Sequence, residues 1–189
     1  MTRRALLSPL LAALLALLIP AAALRAADRA ASETALPRLV ILVRHAEKAA
    51  EPPKDPPLTA AGEERAQALA LALKDAGVTA IVTSDARRTR ATAEPLARAL
   101  HLTPAGIPVG SGSLADHVAA VAAEVRRHAG GVVLVVGHSD TIPSIIAALG
   151  GPRLPDIPHG EFAHLFVLTP GSGGGARLVQ ATYGAPDPR

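Results

Sequence analysis

The segment LVILVRH at 39–45 decides the fold, together with its counterpart VVLVVGH at 132–138. In each, five consecutive apolar residues are followed, two positions later, by a histidine. An unbroken apolar run of this length is typical of a strand buried on both faces, as parallel strands are when helices cover them. Ligands of such sheets bind beyond the carboxyl ends of the strands. We therefore expect His45 and His138 to lie at one edge of the sheet.

The segments around these two strands alternate between strand and helix patterns. A proline-rich loop at 50–57 precedes a helix capped by Thr59 and stopped by Gly77. The remaining predicted elements are a strand at 79–83, a helix at 85–100 that Pro95 kinks or restarts, a helix at 114–129 with Ser113 and Asp116 at capping-box spacing, a short helix from about 142 to 150, and a terminal hairpin with strands at 163–168 and 176–181. This order predicts an α/β fold: a single three-layer domain with a mainly parallel sheet, helices on both faces and one antiparallel strand.

The N-terminal residues predict export. Arg3 and Arg4 precede an apolar run at 5–19, and Pro20 and three alanines follow. This is the pattern of a signal peptide, and the run is shorter than the roughly 20 residues that a membrane-spanning helix needs. We expect a signal peptide at 1–23, a spacer at 24–37 and the functional domain at 38–189, with a periplasmic or secreted product that has no stable membrane insertion after cleavage.

Composition limits the possible partners of the 189-residue chain. Its net charge of +3 includes Arg3 and Arg4, and without the first 23 residues 17 basic side chains face 16 acidic ones. Only two Phe and one Tyr are present, and Cys is absent. A nearly neutral domain poor in aromatic residues argues against nucleic acid as a partner. The sequence does not indicate an oligomeric state.

The side chains that follow the predicted strands are suited to phosphate chemistry. Arg44 and His45 follow the first strand, an arginine-rich segment at 84–90 follows the second, and His138 follows the strand at 132–136. Guanidinium groups offer forked donors that match phosphate oxygens. An imidazole with one nitrogen free can attack phosphorus while its other nitrogen fixes the tautomer. This chemistry requires neither a metal nor a cofactor.

Four short motifs resemble those of the histidine phosphatase superfamily, branch 1, and they occur in the family's order. They are Val43-Arg44-His45-Ala46-Glu47, the group Asp55, Leu58, Thr59, Gly62 and Arg65, the group Ser84, Arg88, Thr92 and Ala93, and Val136-Gly137-His138-Ser139. The resemblance implies a phosphoglycerate mutase-like fold and a metal-independent phosphomonoesterase, whose substrate we expect to be a small phosphorylated molecule or a phosphoprotein. It further implies a phosphohistidine on His45, phosphoryl binding by Arg44 and Arg88, and transition-state stabilisation by His138. Arg88 is preferred to Arg87 and Arg90 because it precedes Thr92 by four residues, as in the family motif.

The general acid that protonates the leaving oxygen stays open among Glu47, Asp116, Asp140 and Glu161. The resemblance implies a carboxylate in a loop after the second helix, where Asp116 lies, although the capping box gives Asp116 a structural role. The remaining histidines, His101, His117, His128, His159 and His164, are interpreted as surface or packing residues. If no acid reaches the ester, good leaving groups or substrate assistance would be favoured.

Alternative functions use the same residues differently. Ser139 follows a strand as the nucleophile of a serine hydrolase does, but the required Gly is replaced by Thr141. A metal site at His45 and His138 conflicts with the adjacent arginines. A phosphomutase or a non-catalytic phosphate-binding module on the same fold remains an alternative to hydrolysis. The identity of the substrate cannot be read from the sequence.

Overall fold

The computed structural model describes residues 36–110, 112–171 and 175–187. The strands are β1 (Leu39–Arg44), β2 (Ala80–Ser84), β3 (Ala105–Ile107), β4 (Val132–Gly137), β5 (His164–Thr169) and β6 (Arg177–Thr182), and the helices are α1 (Ala60–Leu73), α2 (Arg87–Ala99), α3 (Leu114–Arg126) and α4 (Thr141–Ala148). The expected signal peptide at 1–23 and nearly all of the spacer at 24–37 lie outside the described residues.

The six strands form one sheet in the order β3-β2-β4-β1-β5-β6. Strands β3, β2, β4 and β1 are mutually parallel, and β5 runs antiparallel to both β1 and β6. The predicted α/β fold with a mainly parallel sheet and one antiparallel strand is confirmed.

Alternation along the strands divides the core between the two faces of the sheet. Val40 and Leu42 of β1 pack with α3 and α4, whereas Ile41 and Val43 pack with α1 and α2. The same alternation separates Val133 and Val135 of β4 from Leu134 and Val136. Because successive side chains of a strand point to opposite faces, a strand covered by helices on both sides must be apolar at every position. This is the physical origin of the two apolar runs.

Three features differ from the sequence predictions. Strand β3 was not predicted, because its three partly exposed residues carry no apolar pattern. Helices α1 and α3 end at Leu73 and Arg126, several residues before the predicted ends. Helix α2 continues through Pro95 without a restart, since buried residues on both sides of the proline, among them Ala93 and Leu96, hold it against the core.

Within residues 36–110, 112–171 and 175–187, no helix combines the length and apolar character required to cross a bilayer.

Candidate active site

Strand register brings the two histidines to the same edge of the sheet. In the β1–β4 pair, Arg44 lies opposite Gly137, and the backbone N–H of His45 donates to the Gly137 carbonyl at 2.9 Å. His45 and His138 are therefore equivalent positions, one residue past the ends of neighbouring strands. Their ring centroids are 5.5 Å apart with an edge-to-face orientation.

The tautomer of His45 is determined by its backbone. Nδ1 lies 2.7 Å from the carbonyl oxygen of Ala46, which only accepts hydrogen bonds, so Nδ1 carries the proton. In the neutral ring Nε2 then has a free lone pair. Burial, and secondarily the positive charges of His138, Arg88 and Arg44, lower the pKa of His45 to about 3. The ring is therefore neutral at physiological pH, which is the form that can act as a nucleophile.

Arg44 is held by a loop from the other side of the site. Its Nη1 donates to the carbonyl oxygens of Pro158, His159 and Glu161 at 2.8–2.9 Å. The guanidinium carbon lies 4.2 Å from the centre of the Phe162 ring. Burial lowers the pKa of Arg44, and its Nε is buried without a partner among the described residues. One side of the guanidinium is thus anchored while a desolvated donor remains unused.

Arg88 reaches the site from the first turn of α2. Its Nη2 donates to Nδ1 of His138 at 3.2 Å, and Nη1 lies 3.8 Å from a carboxylate oxygen of Asp55. Its Nε, like that of Arg44, is buried and has no partner in the described part of the chain. Arg87 and Arg90 are exposed. The structure therefore brings Arg88, and neither of its neighbours, to the histidines.

His138 is held at both ring nitrogens. Since Arg88 donates to Nδ1, the proton of the neutral ring is on Nε2, which donates to Oγ of Ser84 at 3.0 Å. Ser84 is 2.8 Å from the Thr89 hydroxyl, whose own proton goes to a backbone carbonyl. Burial, followed by the charge of Arg88, lowers the pKa of His138 to about 4.

Packing and hydrogen bonds explain which residues lie between β1 and α1. A Cβ on Gly62 would lie 2.2 Å from the carbonyl oxygen of Glu47, so only glycine fits where α1 passes the loop after β1. Thr59 caps α1 by accepting from the Gly62 N–H. The Thr92 hydroxyl accepts from the N–H of Ala46. These contacts hold the chain that follows His45 in place.

The four carboxylates considered as general acid are all engaged elsewhere. Glu47 forms a bidentate pair with buried Arg65 at 2.7–3.0 Å, and Glu161 is hydrogen bonded to His164. Asp140 accepts from the Thr141 N–H, although it also lines the site. Asp116 completes the predicted capping box, and hydrogen bonds from the backbone and side chain of Ser113 lower its pKa.

All four predicted site residues, Arg44, His45, Arg88 and His138, line one cavity of about 920 Å³. The cavity extends from the histidines to the start of α3, where His117 forms part of its wall. The sequence pattern indicates a surface or packing role for His117 and assigns no role to Phe162. The available signal for Phe162 was that the chain contains only two Phe and one Tyr. Nothing in the local pattern of α3 distinguishes His117 from the other helix histidines.

Two alternative sites are not formed by the described residues. No group of three or more His, Asp or Glu side chains in the described ranges is arranged to hold a metal ion. Among the described non-glycine residues only His101 has a positive φ, and no histidine there is hydrogen bonded to the Ser139 hydroxyl. Ser139 therefore lacks both the strained turn and the base of a hydrolase nucleophile.

The chain is similar to known proteins in both sequence and structure. Residues 40–108 match the model of the histidine phosphatase superfamily, branch 1. A protein of Escherichia coli named "Probable phosphoglycerate mutase GpmB" is 46% identical over 66 residues, which cover 32% of this chain and 31% of that protein. The chain thus matches about a third of the length of these curated relatives.

Solved structures show the same fold over most of the chain. The protein histidine phosphatase SixA, complexed with tungstate, is 22% identical, covers 76% of this chain and 96% of its own, and superposes with a TM-score of 0.61. Mycobacterial glucosyl-3-phosphoglycerate phosphatase is 20% identical, covers 77% and 98%, and has a TM-score of 0.58.

Proposed function

The chain belongs to the histidine phosphatase superfamily, and on that premise we propose that it is a phosphomonoesterase that works through a phosphohistidine on His45. The observation that carries the proposal is a neutral nucleophile that shares one cavity with two guanidinium groups. Nδ1 of His45 carries the proton, so Nε2 has a free lone pair, and Arg44 and Arg88 line the same cavity. Guanidinium groups bind phosphate oxygens through charge-assisted hydrogen bonds.

The reaction follows from this geometry in two steps. Nε2 of His45 forms a bond to phosphorus while the ester P–O bond breaks, and Arg44 and Arg88 bind the oxygens on which charge accumulates. Water then attacks the phosphohistidine, the P–N bond breaks, and phosphate leaves. His138 supports both steps, because its hydrogen bond to Ser84 holds its ring beside the phosphoryl position.

Turnover of para-nitrophenyl phosphate by the purified chain tests the proposal. The variant His45→Ala should lose activity by about 10³-fold or more, whereas the matched control His128→Ala, far from the cavity, should retain it. Brief incubation with labelled substrate should trap an acid-labile phosphate on the wild type only. Activity should survive a chelator. Unchanged turnover by His45→Ala contradicts the proposal.

The trapped species also separates the alternatives. A phosphomutase would hold its phosphoenzyme stably and return the phosphoryl group to a second hydroxyl, whereas a hydrolase releases phosphate at the rate at which alcohol is formed. A non-catalytic phosphate-binding module would bind phosphate but accumulate no phosphohistidine. The substrate itself is proposed as a small phosphorylated molecule or a phosphoprotein, and a panel of such compounds with His45→Ala as the blank would identify it.

Export is part of the proposal and is supported by the sequence at 1–23, with its two arginines, apolar run and small residues. A chain tagged at its C-terminus should be found in the periplasm or medium, shortened by about 2 kDa, the size of a signal peptide. Deleting residues 5–19 should leave the protein in the cytoplasm. Full-length protein in the membrane fraction would contradict the prediction.

A further inference from the structure

His117, in the first turn of α3, is one of four histidines that line the cavity, together with His45, His138 and His159. Only 8% of the residue is exposed. Its Nδ1 lies 3.0 Å from the carbonyl oxygen of Pro108, so Nδ1 carries a proton in every charge state of the ring. This is the arrangement that His45 makes with Ala46. The reactive nitrogen of His117 is therefore Nε2.

Nε2 of His117 is not engaged by the described residues. It has no hydrogen-bond partner in the described part of the chain, and it is not among the buried polar atoms that lack one, so it retains accessible surface. The ring lines the cavity that holds the four site residues. In the neutral ring Nε2 presents a lone pair, and in the charged ring it presents a proton.

His117 lies near enough to the second histidine for its charge to contribute to lowering the pKa of His138, after burial and the charge of Arg88. Both rings line the cavity, which continues from the site histidines to the start of α3. In an in-line displacement the ester oxygen leaves on the side opposite the attacking nitrogen. The part of the cavity that His117 lines is available to that leaving group.

The four carboxylates considered as general acid already have other partners. Glu47 and Glu161 are paired with Arg65 and His164, and Asp140 caps α4. Asp116 precedes His117, but the Ser113 hydrogen bonds favour its ionised form, which has no proton to give.

We propose that His117 is the catalytic acid, donating the Nε2 proton to the leaving oxygen. This inference rests on the proposed phosphatase function. In the first step the P–N bond to His45 forms, the P–O ester bond breaks, and the electron pair of the leaving oxygen takes the proton of His117. In the second step water attacks phosphorus, the P–N bond breaks, and Nε2 of His117 takes the proton from that water. The ring is thereby recharged for the next turnover.

A phosphate dianion in the cavity would favour a positively charged imidazole beside it. The charged and titratable groups that share the cavity with His117 are Arg44, His45, Lys48, Arg88, Asp116, His138, Asp140, Asp156 and His159. The cations bind the phosphate, so their repulsion of His117 is offset once the dianion is present.

Dependence on the leaving group tests the proposal. The variant His117→Asn retains an amide that can donate to Pro108 but has no proton to transfer from the Nε2 position. We expect kcat/KM for an alkyl phosphate such as glycerol 2-phosphate to fall by about 10²-fold or more, the contribution of general acid catalysis. For para-nitrophenyl phosphate, whose phenolate leaves without protonation, we expect a loss of less than about fivefold. His128→Asn, which replaces a histidine beyond the end of α3, is the matched control.

The outcomes are distinct. A structural role for His117 would reduce kcat/KM for both substrates equally, and equal losses would overturn the proposal, as would unchanged activity on the alkyl ester. The pH profile of activity distinguishes a catalytic role from a folding defect. For the alkyl ester, the basic limb of the profile should disappear in His117→Asn and persist in His128→Asn. If the wild type hydrolyses neither ester, the proposed function fails and this inference fails with it; selective loss on the alkyl ester supports both.

Discussion

Oγ of Ser84 and Nε2 of His138 lie 3.0 Å apart, and this contact holds the proton of the neutral His138 ring on Nε2. Strand β2 places Ser84 one residue beyond the Thr83–Val136 pair, beside the end of β4. Because Ser84 accepts the Nε2 proton, Nδ1 of His138 remains toward Arg88. A serine buried at the end of a neighbouring strand thus sets the tautomer of a site histidine.

Replacing Ser84 with alanine should therefore lower kcat. Loss of one buried hydrogen bond, worth about 1–1.4 kcal/mol, corresponds to roughly a tenfold decrease if the ordered ring is required for the reaction. Steady-state kinetics with para-nitrophenyl phosphate measure the effect. Ser144→Ala on α4 is the matched control, and a Ser84→Ala variant as active as that control would show that the contact does not matter for turnover.

Among the three clustered arginines, only Arg88 should be important for activity. Arg88→Ala removes the donor to His138 and a positive charge that lines the cavity, and should decrease kcat/KM by about 10²–10³-fold, as loss of a group that stabilises transition-state charge does. Arg87→Ala and Arg90→Ala remove exposed side chains and should change kcat/KM less than threefold. Steady-state kinetics on the three variants test this prediction. Similar losses of kcat/KM in all three would refute the assignment of Arg88.

The depressed pKa values of His45 and His138 predict loss of stability in acid. In the unfolded chain both rings bind a proton near pH 6.5, whereas in the folded chain they do so only near pH 3 and 4. Between about pH 6.5 and 4 the unfolded state therefore binds more protons, and stability falls as the pH is lowered, by about 1.4 kcal/mol per pH unit for each histidine. Above pH 6.5 neither ring contributes a slope.

Urea denaturation at pH 7, 6 and 5 measures this dependence. Between pH 6 and 5, the variant His45→Gln should show a slope smaller by about 1 kcal/mol per pH unit than the wild type. His101→Gln, which replaces an exposed histidine, should show the wild-type slope. A wild-type slope in His45→Gln would mean that burial of this ring does not depress its pKa.

We expect the Glu47–Arg65 pair to contribute to stability and not to catalysis. The Arg65 side chain is 3% exposed and also donates to the carbonyl oxygens of Tyr183 and Ala185, so it ties α1 to the C-terminal segment. Although burial opposes its charge, the hydrogen bond to Glu47 raises the pKa of Arg65. Removing Glu47 leaves this charge without its bidentate partner.

Glu47→Ala should lower the free energy of unfolding by about 3 kcal/mol, as breaking one side of a buried pair does. The exposed Glu64 on α1 provides the control, and Glu64→Ala should stay within about 0.5 kcal/mol of the wild type. Urea unfolding at pH 7 measures both. Equal stability of the two variants would show that solvent compensates the Arg65 guanidinium for the loss of Glu47.

The sequence by itself determined the sheet and the edge at which the site lies. Strands β1 and β4 must be apolar at every position to contact helices on both faces, so their runs were recognisable, and the polar residues after them marked the edge. Arg44, His45 and His138 could be named in advance for the same reason, whereas Arg88 was chosen from its resemblance to the family motif. The roles of all four are tested by the experiments above.

Only the tertiary structure decided how those groups are held. The three carbonyls around Arg44, the Phe162 ring beside its guanidinium and the Pro108 carbonyl that accepts from His117 all lie in loops, and loop conformation leaves no periodic pattern in a sequence. The sequence left four carboxylates open as general acid. Their hydrogen-bond partners, which packing and local turns determine, distinguish them.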